Sequence, residues 1–364
     1  MAHDRVLLAH GSGGVLSHDL VERIFLPRFE NPALASMDDS AVLSIAHLFP
    51  TAGGGRPLSP EGQGTGNRLA FTTDSYVVKP LFWNGGNIGR LAICGTVNDL
   101  AMVGARALCL TAGFIVEEGL PISILEAVAD AMKATAEEAG VSVVAGDTKV
   151  VERGGADGLF INTAGVGLIP QGVIISGRNA RPGDVVLVSG YIGDHGVAVL
   201  SQREGLEFGT NVASDVAPLN ALVEAILCSE LDSDPNSAGQ TVRVLRDPTR
   251  GGLGTTLNEI ARQSNVGIRI YEERVPVREE VAVACEMLGY DPLYVANEGK
   301  LVAVVSRHHS ERVLEVMRQQ RYGENAAIIG EVIGEPRGKV LMKTAVGGTR
   351  IINMLTGEML PRIC

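Results

Sequence analysis

The chain has 364 residues, 45% of them hydrophobic but only 4% aromatic, and a formal net charge of −11. That length carries about two domains at ~150 residues each, with aliphatic cores like those of α/β proteins built on Val/Ile/Leu strands. The acidic balance argues against nucleic acid and anionic membrane as partners, but metal ions or helix N-termini would still admit an anionic small ligand.

In chain order, the start MAHDRVLLAHGSGG has only a short apolar patch and does not read as a signal peptide. Gly11, Gly13 and Gly14 then form a glycine-rich turn. Its backbone amides could wrap a phosphate, and a flexible N-terminal loop is the equal alternative. Strand-like runs at 41–45 and 68–73 flank the turn-rich stretch 50–67, which reads as a flexible insertion in a hairpin. A helix is predicted at 86–103, a strand at 107–115 and a helix at 122–139. The last has Ser123 and Glu126 at capping-box spacing and Gly140 as its stop. Strands at 141–145 and 159–168 complete the first half.

A turn-rich segment, 176–183, opens the second half. Strands are predicted at 184–189, 267–270, 300–305, 326–332 and 339–343, with helices at 194–203, 217–227, 252–263, 278–288 and 310–319. Mixed strands and helices in both halves predict an α/β (α+β) fold of two domains, 1–170 and 183–350, followed by a tail, 351–364. No apolar run approaches the ~18 residues of a membrane helix. The five cysteines are odd in number and show no CxxC spacing. Together these features predict a reduced, cytoplasmic protein without a membrane or nucleic-acid partner.

Acidic residues sit at the ends of apolar runs. Asp38 and Asp39 open DDSAV, Asp74 ends LAFTTD, Asp147 ends VSVVAGD, and Asp247 follows VRVLR. Carboxylates at strand ends converge at one sheet edge, where they can hold Mg²⁺ while phosphate oxygens complete its shell. A cap or turn role is the alternative for any one of them. Asp99, inside the apolar run TVNDLAMVGA, fits that alternative least, because a buried charge needs a partner or a metal. The chain has neither GxxxxGK[ST] nor GxGxxG, so any ATP would be held through carboxylate-bound magnesium. The last residue is Cys364, which reads either as a frayed end or as a tethered nucleophile with wide reach. A prenylation signal is not expected, since that motif wants three residues after its Cys.

Eight segments together carry a resemblance. HGSGG (10–14), MDDSAV (37–42), FTTDSYVV (71–78), GNIGRLAICGTVNDLAMVGARAL (86–108), AGDTKVVERG (145–154), RDPTRGGL (246–253), ANEGKL (296–301) and the terminal PRIC (361–364) resemble the HypE family of hydrogenase maturation proteins over nearly the whole chain. The acidic motifs and the NDLAMVGA helix are shared with a wider superfamily of ATP-using enzymes that includes aminoimidazole ribonucleotide synthetase. GDTKVVERG, RDPTRGG and PRIC are narrower. The stretch 50–67 departs from the family's usual length, outside every motif.

The resemblance implies a two-domain aminoimidazole ribonucleotide synthetase-like fold, a homodimer paired through its N-terminal domains, and ATP with Mg²⁺. It implies a carbamoyltransferase partner, HypF, that loads Cys364, and ATP-dependent dehydration of that S-carboxamide to a thiocyanate. The cyano group would pass to iron on a HypC–HypD complex. Expelling the carboxamide oxygen requires its conversion to a better leaving group by phosphorylation, catalysed mainly by positioning and electrostatics. On this resemblance Asp38 or Asp39, Asp74, Asp99 and Asp247 hold magnesium. Gly11, Gly13, Gly14, Asn98, Asp147 and Thr148 contact the nucleotide. Glu298 is the base and Lys149 orients the carboxamide or stabilises its oxygen; the plain alternatives are a turn residue for Glu298, and a solvated charge or a partner of Glu152 for Lys149. Substrate contacts by His10 and His195 stay open. The rivals are a selenophosphate synthetase or small-molecule kinase of the superfamily, and a non-enzymatic carrier presenting Cys364. The first would use a Cys near the glycine-rich turn, and none precedes Cys94.

Overall fold

The computed structural model describes residues 6–11, 13–29, 31, 33–44, 68–205, 212–231, 241–356 and 362–363. The expected insertion at 50–67 and Cys364 therefore lie outside the described residues.

The first half begins with a short helix, α1 (Val15–Leu20), and strands β1 (Ala41–Ser44) and β2 (Arg68–Tyr76). A small hairpin, β3 (Phe82–Trp83) and β4 (Gly86–Asn87), leads into α2 (Ile88–Met102). Strand β5 (Arg106–Glu117), helix α3 (Ile122–Ala139), β6 (Val143–Val151) and β7 (Leu159–Ile169) follow. The sheet order is β1-β2-β7-β5-β6. β5 and β6 are parallel, joined by the crossover helix α3, and the other neighbours are antiparallel. Along β7 every second residue from Leu159 to Ile169 is buried, the period of a strand with one face on a core.

Helix α2 fills that core. Every residue in it is buried except Arg90 and Asp99, so it is sheathed on all sides. Asn87 caps its start, accepting from the amides of Gly89 (2.9 Å) and Arg90 (3.0 Å). Gly89 lets α3 approach: a Cβ there would meet the Val128 carbonyl. Truncating a fully buried residue such as Ile93 to Ala would cost ~2–5 kcal/mol. The capping box expected at Ser123 and Glu126 is absent; α3 starts after Pro121 with no side-chain cap bond. A proline at that point sets the entry backbone, and Gly140 (φ 66°) closes the helix as expected.

The second half holds β8 (Val185–Val188), α4 (Asp194–Glu204), α5 (Asn220–Leu231), β9 (Val242–Arg246), α6 (Gly252–Gln263) and β10 (Gly267–Tyr271). It continues with α7 (Glu279–Leu288), β11 (Val302–Val305), α8 (Ser310–Arg318), β12 (Ala327–Ile333), β13 (Lys339–Lys343) and β14 (Thr349–Ile352). The sheet order is β14-β13-β10-β12-β8-β11-β9. β8 and β11 are buried along their whole length, as expected for valine-rich strands covered on both faces. Leu253, Leu257 and Ile260 of α6, at helical spacing, pack with Ile268 and Val340 on one face. Leu222 and Ile226 of α5 and Val313 and Met317 of α8 pack with Leu187 and Val305 on the other.

Ala101 and Met102 at the end of α2 join this last cluster, so the buried helix ties the two sheets together. β9 and β14 had no predicted counterpart. β14 buries only Ile352, too little alternation to register, and β9 ends in the motif read for its aspartate. Among the described residues no helix is long and apolar enough to cross a membrane.

Candidate functional site

Five acidic side chains reach one region between the sheets. Asp74 lies on β2, Asp99 near the end of α2, Asp39 just before β1, Asp247 just after β9, and Glu298 in the loop before β11. Burial, reinforced by Asp247, Asp74 and Asp39, holds the Asp99 carboxyl well above the ordinary range. Burial and the Asp39 charge push Asp247 up to about 8. Asp39 is raised by burial to about 6, although Arg246 pulls it down. Glu298 is raised well above its usual value by burial, then by Asp247, Asp74 and Asp215. Asp39, Asp99, Asp247 and Glu298 thus resist ionising partly because acidic neighbours are near.

Local bonds aim the set. Thr72 donates its hydroxyl to Asp99 (2.6 Å), and Arg246 pairs with Asp39 while donating to the Met37 carbonyl (3.1 Å). The Glu298 backbone amide is fixed by Asp215 (3.0 Å), yet its buried Oε1 has no hydrogen-bond partner. Among the described residues no three His, Cys, Asp or Glu side chains are gathered closely enough to hold a metal as they stand. The all-oxygen donor set, its mutual repulsion and the orphaned Glu298 oxygen nevertheless fit a hard divalent cation.

The glycine-rich turn borders this region. Arg250 donates to the Gly11 carbonyl (3.2 Å) and lies 3.8 Å from Asp74. Gly13 (φ 77°) needs its left-handed backbone, and a Cβ there would stand 2.8 Å from that of Arg250. Gly14 abuts the Leu355 carbonyl. The Gly13 amide is already taken by Ser17 Oγ (2.9 Å), so it is not offered to a phosphate.

Three expectations change in the structure. Asp38 accepts from Ser176 Oγ (2.9 Å) and the Gly177 amide (2.9 Å), anchoring the segment between the halves. Asn98 donates to the Ala217 carbonyl (3.0 Å) and accepts from the Leu219 amide (2.8 Å). Both ends of its buried amide are so engaged, and it joins the first half to the second. Asp147, Thr148 and Lys149 lie inside β6, not at a strand end. β6 is the far edge strand, three positions from β2, or about 14 Å. Lys149 and Asp147 pair at 2.9 Å with both side chains 71% exposed. Within one chain they do not meet the acidic group.

The tail end is docked inward. Arg362 donates to the Val77 carbonyl from Nε (3.0 Å) and Nη2 (2.9 Å) and pairs with Asp157. Ile363 is buried in the first-half core. His195, fully buried, stands 2.9 Å from the Ile363 carbonyl. Sequence reasoning missed Arg246, Arg250 and Arg203, and gave Arg362 no contact. The first two lie in RDPTRGGL beside Asp247, where paired arginines next to a candidate ligand were the available signal.

Residues 37–169 match the family model described as AIR synthase related protein, N-terminal domain, and residues 181–343 its C-terminal domain. The chain is 49% identical to the carbamoyl dehydratase HypE of Rhizobium leguminosarum bv. viciae, covering 100% of this chain and 96% of the relative. A solved HypE–HypF complex contains a chain 47% identical, with TM-score 0.80, over 92% of this chain and 99% of that one. A HypE structure in complex with ATP is likewise 47% identical, with TM-score 0.76, over 99% and 100%.

Proposed function

The chain belongs to the HypE family of carbamoyl dehydratases, on the AIR synthase-related fold, and from that premise we propose how its residues carry out the reaction. It is an ATP-binding carbamoyl dehydratase of hydrogenase maturation. The substrate in our reading is an S-carboxamide on Cys364, loaded by a HypF-type carbamoyltransferase and dehydrated to a thiocyanate for transfer to a HypC–HypD-type acceptor. The inward docking of Arg362 and Ile363 supports this reading, since Ile363 is buried in the same core as Ala296, two residues before Glu298.

Asp39, Asp74, Asp99 and Asp247 would hold magnesium, which when bound offsets their repulsion and the charge of the transferring phosphoryl group. Glu298 is the base for the carboxamide N–H protons. Its unpartnered Oε1 leaves an acceptor open. Arg246 keeps Asp39 aimed, and Arg250 links Asp74 to the glycine-rich turn.

Lys149, with Asp147 and Thr148, would act across a homodimer. All but the last residue of β6 are exposed, including Val143, Val144 and Val150, and the same sheet exposes Phe71, Leu108 and Ile115. An open edge strand flanked by apolar surface needs a partner. A second copy laid there would bring Lys149 to its partner's acidic region. Replacing Cys364 by Ala is expected to abolish labelling from a carbamoyl donor and leave ATP binding in place. Carbamoyl found by intact mass on another residue of that variant would refute the assignment.

A further inference from the structure

We propose that His195 is a positioning residue for the dehydration: with Arg203 it latches the backbone of the last residues and so sets where the reacting end of the chain lies. This rests on the reading above that Cys364 carries the substrate.

The latch is built from both sides. Ile363 offers a carbonyl, which only accepts, so His195 Nε2 bears the proton in its 2.9 Å contact. His195 Nδ1 then accepts from the Ser214 hydroxyl (2.8 Å), and that oxygen accepts from the Val216 amide (3.2 Å). The ring is further held edge-on against Trp83, with centroids 5.6 Å apart. Burial pushes its pKa below the usual value, which favours the neutral, singly protonated ring this chain of bonds requires.

One residue earlier, Arg203 Nη2 donates to the Arg362 carbonyl (2.6 Å) while its Nε donates to the Lys79 carbonyl (2.7 Å). The Arg362 side chain clamps Val77 and Asp157. The Ile363 side chain packs in the same core as Val216 and Ala296. Val216 and Ala296 lie on the two loops whose backbones meet at Glu298: Ala217 N–H donates to the Glu298 carbonyl (3.4 Å). The socket therefore couples the penultimate residue to the loop that carries the base. A second consequence follows, because loading by another protein requires the same bonds to open. The latch favours dehydration and opposes release.

The test follows the C-terminal peptide by mass spectrometry in the full-length protein, since Cys228 is exposed and would also be alkylated. His195→Ala and Arg362→Ala are each expected to raise iodoacetamide alkylation of Cys364 about tenfold, the worth of one or two hydrogen bonds. Each is expected to slow single-turnover dehydration of the carbamoylated protein by a similar factor, while loading by the transferase continues. His195→Gln, which keeps an N–H donor, is expected to recover most of the dehydration rate. Arg362→Ala lies on the tail and keeps the test open if His195→Ala does not fold. Wild-type alkylation and dehydration rates in Arg362→Ala and in folded His195→Ala would overturn the proposal. A wild-type protein that does not dehydrate would instead sink the functional reading, and alkylation alone would then decide the latch.

Discussion

The acidic junction and the outer edge strand β6 carry the same kinds of residue and treat them in opposite ways. At the junction Asp99, Asp247 and Glu298 are held above their ordinary pKa values by burial and by one another. On β6 Asp147 is exposed, and its hydrogen bond to Lys149 lowers its pKa. A carboxylate gains chemical potential from its surroundings, not from its motif. The first region crowds acidic groups together in the isolated chain, and in the proposed reading a cation relieves that crowding. The second is paired and exposed there, and in the proposed reading its task needs a second copy to cover it.

The sharpest way to break this contrast is at Glu298. Glu298→Gln is expected to accept carbamoyl and lose dehydration by roughly 10²–10⁴-fold, the range for a general base. Intact mass and ADP release check it, and thiocyanate formed at the wild-type rate would remove the base role. Next comes Lys149. Lys149→Ala is expected to slow dehydration by about 10²-fold, and mixing it with the Glu298→Gln variant is expected to restore activity if each site draws on both copies. Failure to complement, with both proteins dimeric by sedimentation, would return β6 to a solvated edge. Val144→Arg places a charge on that exposed face and is expected to shift sedimentation toward monomer at low micromolar concentration.

The smallest effects concern stability. A carboxyl whose folded pKa is raised favours the fold when protonated, and that contribution fades as pH rises from about 4 through the raised value. For Asp39 (about 6) and Asp247 (about 8) the loss falls between about pH 4 and pH 8. Asp247→Asn is therefore expected to raise the Tm of the ligand-free protein at pH 8 by roughly 2–4 °C and to weaken its stabilisation by MgATP. In the unaltered protein that stabilisation should be larger at pH 8 than at pH 5. A Tm gain independent of pH would contradict the coupling.

Much of this was legible in the sequence because it rests on local periodicity. The buried helix Ile88–Met102, the helix Ile122–Ala139 with Gly140 as its stop, and the valine strands of the second sheet all announced themselves. The convergence of Asp74, Asp99 and Asp247 was also readable from their place along apolar runs, whereas Glu298 was reached through the family resemblance. What sequence could not resolve was which polar atoms are already engaged. The motifs of Asp38 and Asn98 do not show that Gly177 and Leu219 donate to them. Asp147 looks like a strand end until β6 is seen to run on to Val151. His195 gave no signal of its own, because its partner is a carbonyl 168 residues away.

The most direct measurement is the intact mass of the carbamoylated protein before and after addition of MgATP. The account requires the loss of one water from the peptide ending in Cys364, in step with ADP formation. An unchanged mass with ATP consumed, or water lost from a protein lacking Cys364, would contradict it.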